Sequence, residues 1–231
     1  GNILKHRRSG DSTVLWTMDS LTYYYYEGTN QLKYVHDGSA SGNYNVDIDN
    51  QTDTNNYVYD AIGNLTGDDA EGIQKIKWNV YGKIESIKFT GASGKPDLVF
   101  GYDAMGNRIS KKVMPQSAGD TITTYYVRDA TGNTMATYLR KGYTASDTLR
   151  LSEQHIYGSS RLGMVSTSLL LSEQLDTSNT YTRLLGEKRY ELSNHLGNVL
   201  AVITDRRFSI QSGATTTIAY YEPDVLAAQD Y

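Results

Sequence analysis

Two stretches of this chain share one frame. Val58-Tyr59-Asp60-Ala61-Ile62-Gly63-Asn64-Leu65 and Gly101-Tyr102-Asp103-Ala104-Met105-Gly106-Asn107-Arg108-Ile109 both read Tyr-Asp-x-x-Gly-Asn and then return to apolar residues. A strand-turn-strand unit repeated along a chain builds surface or enclosure more readily than a single pocket. Degenerate copies follow at Tyr26-Glu27-Gly28-Thr29-Asn30-Gln31-Leu32, Trp78-Asn79-Val80-Tyr81-Gly82-Lys83-Ile84, Arg128-Asp129-Ala130-Thr131-Gly132-Asn133 and Ser193-Asn194-His195-Leu196-Gly197-Asn198-Val199. Counted at the turn position, the frame falls at residues 1, 30, 63, 82, 106, 132 and 197. The spacing is irregular, but the frame persists.

Each copy reads as a β-hairpin. The aromatic or long residue ends one strand, Asp-x-x-Gly turns with its carboxylate accepting backbone N–H bonds, and Asn opens the return strand. In the copy at Tyr26, Asn30 is expected to take the left-handed position, since asparagine tolerates it best after glycine. Ile73–Trp78 and Ile84–Phe89 alternate apolar and polar residues on either side of one turn, as strands do. Sustained helical periodicity is absent, and the segment 168–174 is the most ambiguous.

The expected architecture is all-β: consecutive antiparallel hairpins forming part of a spiral, curved, shell-like sheet. Residues 1–150 form the hairpin array, and 151–231 continue the same shell. Residues 36–56 are rich in Gly, Ser, Asn and Asp and read as a long hairpin tip or insertion; 114–121 read as a shorter loop. Leu151-Ser152-Glu153-Gln154 returns as Leu171-Ser172-Glu173-Gln174, either two similar strand starts or a coincidence.

Twenty tyrosines against three phenylalanines let such a chain build sheets without being greasy, because tyrosine packs a ring and keeps a polar end. A net charge of −4 gives no general attraction to nucleic acid or anionic lipid. The chain has no cysteine, so neither a disulfide framework nor thiolate-bound metal is available. No apolar run nears the roughly 18 residues of a membrane span. Gly1-Asn2-Ile3-Leu4-Lys5 resembles the second half of the frame and not a signal peptide, so a fragment of a longer polypeptide is expected.

The repeated frame resembles the YD repeats of the RHS family, which includes the C component of insecticidal Tc toxins and the YD shell of teneurins. Three later segments are similar to the approach to the RHS-associated core of Bacteroidetes proteins. They are Gln154-His155-Ile156-Tyr157-Gly158-Ser159-Ser160-Arg161-Leu162-Gly163-Met164, Tyr190-Glu191-Leu192-Ser193-Asn194-His195-Leu196-Gly197-Asn198-Val199-Leu200, and Asp224-Val225 through Ala228-Gln229-Asp230-Tyr231. The resemblance spans essentially the whole chain. It implies hairpins wound into a hollow shell which, in toxin members, encloses a C-terminal effector and is sealed by a core that cleaves itself through aspartates. In teneurins a similar shell supports adhesion. No Asp-Pro-rich autoproteolytic stretch stands in this sequence, so the resemblance assigns no catalytic residue; self-cleavage would depend on sequence outside this chain.

Enzymatic readings are weaker. His6, His36, His155 and His195 lack metal-ligand spacing, and His195 is read as a turn residue. Asp60, Asp103 and Asp129 could form an acid–base pair about 5 to 9 Å apart across neighbouring hairpins. Their shared place in the frame makes each a fixture of its own turn instead, together with Tyr59, Gly63, Asn64, Tyr102, Gly106, Asn107, Gly132, Asn133, Asn194, Gly197 and Asn198. Asp47, Asp49 and Asp53 offer calcium-ligating oxygens, but an EF-hand would need Gly and Glu where Thr52 and Val58 stand, so a solvated loop is favoured. Gly91-Ala92-Ser93-Gly94-Lys95-Pro96 lacks the first glycine and the hydroxyl residue of a phosphate loop. Asn50-Gln51-Thr52 and Asn64-Leu65-Thr66 match the glycosylation triplet, which has meaning only in a eukaryotic secretory setting.

Tyr23–Tyr26, Tyr125-Tyr126 and Tyr220-Tyr221 serve either wall packing or recognition of a sugar or unfolded cargo. In a strand their rings alternate between faces, and wall packing is favoured. The expected function is a structural β-shell segment of a secreted or surface bacterial protein, without cofactor or catalysis, whose partners are the rest of its own polypeptide and an enclosed effector. The alternative is a surface adhesin or carbohydrate-binding module with a glycan or protein partner.

Overall fold

The computed structural model describes residues 1–10, 17–39, 44, 47–48, 50–142, 148–171, 184–213 and 216–229. These residues fold as β-strands joined by turns, with one short 3-10 turn at Gly91–Ser93 and no α-helix among them. No helix among them is long and apolar enough to cross a membrane. Two compact units divide the chain: residues 1–100 with 113–119, and residues 101–112 with 120–231.

In the first unit, β1 (Lys5–Ser9), β2 (Thr17–Tyr25) and β3 (Leu32–Asp37) make a three-stranded antiparallel sheet in that order. β4 (Tyr57–Tyr59), β5 (Leu65–Asp68), β6 (Ile73–Trp78), β7 (Ile84–Phe89) and β8 (Asp97–Tyr102) begin a second sheet. It continues through β9 (Arg108–Met114), β10 (Ile122–Arg128), β11 (Thr134–Lys141), β12 (Thr148–Tyr157), β13 (Arg161–Leu170), β14 (Lys188–Ser193), β15 (Val199–Gln211) and β16 (Ile218–Ala228). The 13 strands follow chain order from β4 to β16 with no crossover. Such a meander needs only local pairing, the cheapest way for short turns to make a large sheet.

The hairpins share an irregularity in their pairing. Val58 pairs with Gly67, but the next residue, Tyr59, pairs with Leu65, which leaves Thr66 as an extra residue. The same slip leaves Met18, Lys33, Glu85, Met135, Leu162, Leu200 and Ala219 extra, each the second residue of its return strand. A bulge of this kind increases local right-handed twist. No sequence signature marks it, because the extra residues share neither charge nor size.

The apolar core is small. Among the described residues, only Leu21, Val35, Ile76 and Leu151 are buried hydrophobic side chains, against seven buried polar or charged ones. Ile76 pairs directly with Ile87, and Leu151 with Leu169 and Tyr138. Buried polar groups must be hydrogen-bonded to be tolerated, and Asp19 and Asp37 both take backbone N–H groups. Asp19 is completely buried; it takes the guanidinium of Arg8 and accepts the Ile48 N–H at 2.9 Å. Asp37 accepts the N–H groups of Ser20 and Ser39 at 2.7 and 3.1 Å.

The polar stretch 36–56 is more than a solvated tip. β3 extends into it as far as Asp37, and Gln51 returns to β3, where its side chain accepts the Val35 N–H at 2.7 Å and its own N–H donates to the Val35 carbonyl at 3.3 Å. Gln51 thereby mimics a neighbouring strand at an otherwise open edge. Asn56, 1 % exposed, anchors the far end. Ser168–Leu170 belong to β13, and residues 172–174 of the short direct repeat lie outside the described residues.

Candidate functional site

Five hairpins are closed by the same five-residue loop: 60–64, 79–83, 103–107, 129–133 and 194–198. In the first, the Asp60 N–H donates to the Asn64 carbonyl at 2.9 Å and the Gly63 N–H donates to the Asp60 carbonyl at 3.1 Å. Both bonds recur in the other four loops at 2.9 to 3.1 Å. This is a tight turn followed by a residue with positive φ, and Gly63, Gly82, Gly106, Gly132 and Gly197 hold φ of 94, 69, 81, 92 and 86°. Only glycine takes that conformation without steric cost.

The first residue of each loop spends its side chain on the loop itself. Asp60 Oδ1 accepts the N–H groups of Ile62 and Asn64 at 3.1 and 2.8 Å. Asp103 does the same for Met105 and Asn107, and Asp129 for Thr131 and Asn133. Asn79 and Asn194 supply an amide oxygen in the same place. The last loop residue closes the cage where it is asparagine opposite aspartate. Nδ2 of Asn64, Asn107 and Asn133 donates to the second carboxylate oxygen of Asp60, Asp103 and Asp129 at 2.9, 3.1 and 2.9 Å.

These bonds hold the three carboxylates below the ordinary aspartate value. At Asp103 the Asn107 side chain is the main cause; at Asp129 the Asn133 and Thr131 side chains lower it to about 2. At Asp60 desolvation pulls upward, and the hydrogen bonds led by the Asn64 N–H outweigh it. A general acid for glycoside hydrolysis needs the opposite shift.

The copy at Tyr26 departs from expectation. Its left-handed residue is Gly28, with φ of 70°, and no non-glycine residue has positive φ among the described residues. Asn30 therefore does not take the turn position. The loop is one residue longer, and Thr29 fastens it by donating its Oγ1 hydrogen to the Tyr26 carbonyl at 2.9 Å while its N–H donates to the same oxygen at 3.1 Å.

Tyrosines pack on each other and on backbone. Tyr24 and Tyr34, directly paired across β2 and β3, stack with centroids 4.4 Å apart, and Tyr26 meets Tyr59 edge-on at 6.3 Å. The Tyr26 hydroxyl donates to the Tyr57 carbonyl at 2.9 Å, and Tyr25 to the Ile3 carbonyl at 2.7 Å. Burial pushes the Tyr57 and Tyr59 phenols upward. In the second unit, Tyr125, Tyr220 and Tyr221 remain exposed, with the Arg207 guanidinium 4.3 Å above the Tyr221 ring.

The other candidates separate from one another. Asp53 accepts the Asn55 N–H at 2.8 Å in an exposed turn, Asp47 lies in the Arg8–Asp19 neighbourhood, and Asp49 falls outside the described residues. No group of three or more His, Asp or Glu that could hold a metal exists among the described residues. His155 is nearly buried, with Nε2 3.7 Å from Glu153, while His195 lies exposed in its loop. Gly91–Ser93 form the 3-10 turn, Gly94 closes it with φ of 64°, and Lys95 pairs with Glu71 at 2.6 Å.

An amphipathic cleft of about 520 Å³ lies in the first unit, with Val58 and Ile73 among its apolar residues and Asn56, Thr66, Asp68 and Lys75 among its polar ones. Asn56 binds Asp68 through Nδ2 at 2.9 Å and takes the Ala70 N–H on Oδ1 at 2.6 Å, so the polar wall is fixed from behind. Sequence reading missed this pair because Asn and Asp inside a polar stretch look solvated. No protein-family model matches this chain, and no curated protein matches it.

Proposed function

We propose that this chain is a wall segment of a YD-repeat β-shell in a secreted or surface bacterial RHS-type protein, enclosing or protecting an attached segment of the same polypeptide. The observation that carries the reading is the combination of five identically closed loops with 13 strands laid down in chain order. A meander whose turns are fixed by their own side chains grows by adding hairpins, and bulges in the return strands supply the twist that a curved wall requires. The carboxylates that a catalytic reading would use are occupied by their own loops. The function is therefore steric: hydrogen-bonded strands exclude proteases and solvent from what lies behind them.

The experiment is limited proteolysis of a full polypeptide containing this chain. Under native conditions the attached C-terminal segment should resist cleavage at least tenfold longer than the same segment expressed alone. Equal cleavage rates would overturn the reading. A recognition module built on tyrosine platforms predicts a different result, glycan-array binding lost in Tyr24→Ala or Tyr126→Ala. Tyr24 already gives one ring face to Tyr34, which supports wall packing.

A further inference from the structure

On the face of β6, β7 and β8, Lys75 and Lys88 are direct cross-strand partners. Directly opposed side chains have Cβ atoms only about 5 Å apart, and like charges there destabilise a sheet. Lys77 stands two residues along on the same face, opposite Ser86. Among the described residues none of the three lysines forms an ion pair. They border a groove of about 220 Å³ that also takes in Ser86, Val99 and Met114. The one carboxylate in it, Asp97, has Oδ1 occupied by the Phe89 N–H at 2.9 Å and Gln116 Nε2 at 3.1 Å. Three lysines against the single carboxylate of Asp97 leave the groove net positive, which runs against the charge of −4 that the chain carries as a whole.

We propose that this groove binds a small phosphate monoester. Three ammonium groups and a hydroxyl match the charge and oxygen count of a dianion, whereas a carboxylate brings one charge and two oxygens. Val99 and Met114 offer apolar surface to the ester's carbon body. The volume falls below the roughly 300 Å³ at which drug-sized pockets begin, which selects a compact ligand. The site lies within the first unit and does not depend on the shell reading.

Calorimetric titration with phenyl phosphate and with inorganic phosphate, at constant ionic strength, tests it. Wild type should bind one phenyl phosphate per chain saturably, and tighter than inorganic phosphate. Lys75→Gln and Lys88→Gln should bind at least tenfold more weakly, while Lys83→Gln, in the exposed 79–83 loop, binds as wild type. Without ligand, Lys88→Gln should unfold at a slightly higher temperature than wild type, because it removes the opposed charge; this separates lost binding from lost folding. Titration without saturation, equal affinity in all four proteins, or tighter binding of inorganic phosphate than of phenyl phosphate would overturn the proposal.

Discussion

Asn133 Nδ2 donates to Asp129 Oδ2 at 2.9 Å across a loop of five residues, while Asp129 Oδ1 takes the N–H groups of Thr131 and Asn133. Both carboxylate oxygens are thus spent within the turn that the residue begins. The side chain of one residue fixes the backbone of the next four, and no distant contact is needed.

Stability should therefore fall in acid over a defined window. Asp60, Asp103 and Asp129 titrate below the ordinary value in the folded chain, Asp129 near 2. A depressed pKa stabilises fully above the unfolded value of about 4 and is lost as pH falls through the folded value. The urea midpoint should stay level from pH 7 to 5 and drop between about 4 and 2. Asp129→Asn keeps an amide oxygen for the backbone donors and should flatten that drop. An unchanged slope in this variant would show that the loop carboxylate does not govern acid stability.

Two glycines should respond differently to alanine. At Gly197 an added Cβ meets nothing within 4 Å, so only the left-handed φ of 86° matters, a cost of about 1–2 kcal/mol. Gly197→Asn should recover part of it. At Gly163 the Cβ would sit 2.0 Å from the Arg189 carbonyl oxygen, on the neighbouring strand β14. Backbone there cannot yield without breaking the β13–β14 pairing, and Gly163→Ala should cost about 4 kcal/mol or more. Chemical denaturation of the three variants checks the order.

The turns were legible because their chemistry is local: Asp, two free positions, Gly and Asn carry the whole hydrogen-bond pattern within five residues. All-β class and antiparallel pairing followed from the alternation in β6 and β7. What escaped depends on chain brought from elsewhere. Gln51 bonding Val35, Asp19 buried under Arg8, and the Asn56–Asp68 pair all look like ordinary polar residues until the intervening segment folds back. Asn30 shows the reverse error, since a rule about which residue tolerates positive φ could not reveal that Gly28, two positions earlier, already supplies it.

Asn56 should be among the most sensitive polar positions. It is 1 % exposed and serves Asp68 and the Ala70 N–H together. Asn56→Ala strands both partners and should cost about 2–3 kcal/mol. Asn56→Asp places a second carboxylate 2.9 Å from Asp68 Oδ1, and like charges at that range force one to hold a proton. Its destabilisation relative to wild type should be larger at pH 7 than at pH 4.5, measured by urea unfolding at both. Equal losses at the two pH values would mean that the carboxylates separate on folding.

β16 is an edge of the 13-stranded sheet, and along its eleven residues the outer side has no strand partner among the described residues. Ile218, Tyr220, Tyr221, Val225 and Leu226 are all exposed on it. Pro223 removes one donor, a usual protection of edge strands, but one missing N–H cannot blunt a strand of this length. The isolated 231-residue chain should therefore associate through β16 in a concentration-dependent way. Lysines at Tyr221 and Val225 add charge to that edge without touching the buried Ile76 or Leu151. Sedimentation velocity should show association in wild type and a shift toward monomer in Tyr221→Lys/Val225→Lys, whose unfolding midpoint should lie slightly below wild type because Tyr221→Lys sets a second cation beside Arg207. A wild-type chain that sediments as a single monomer at tens of micromolar would show that this edge is protected by something other than strand pairing.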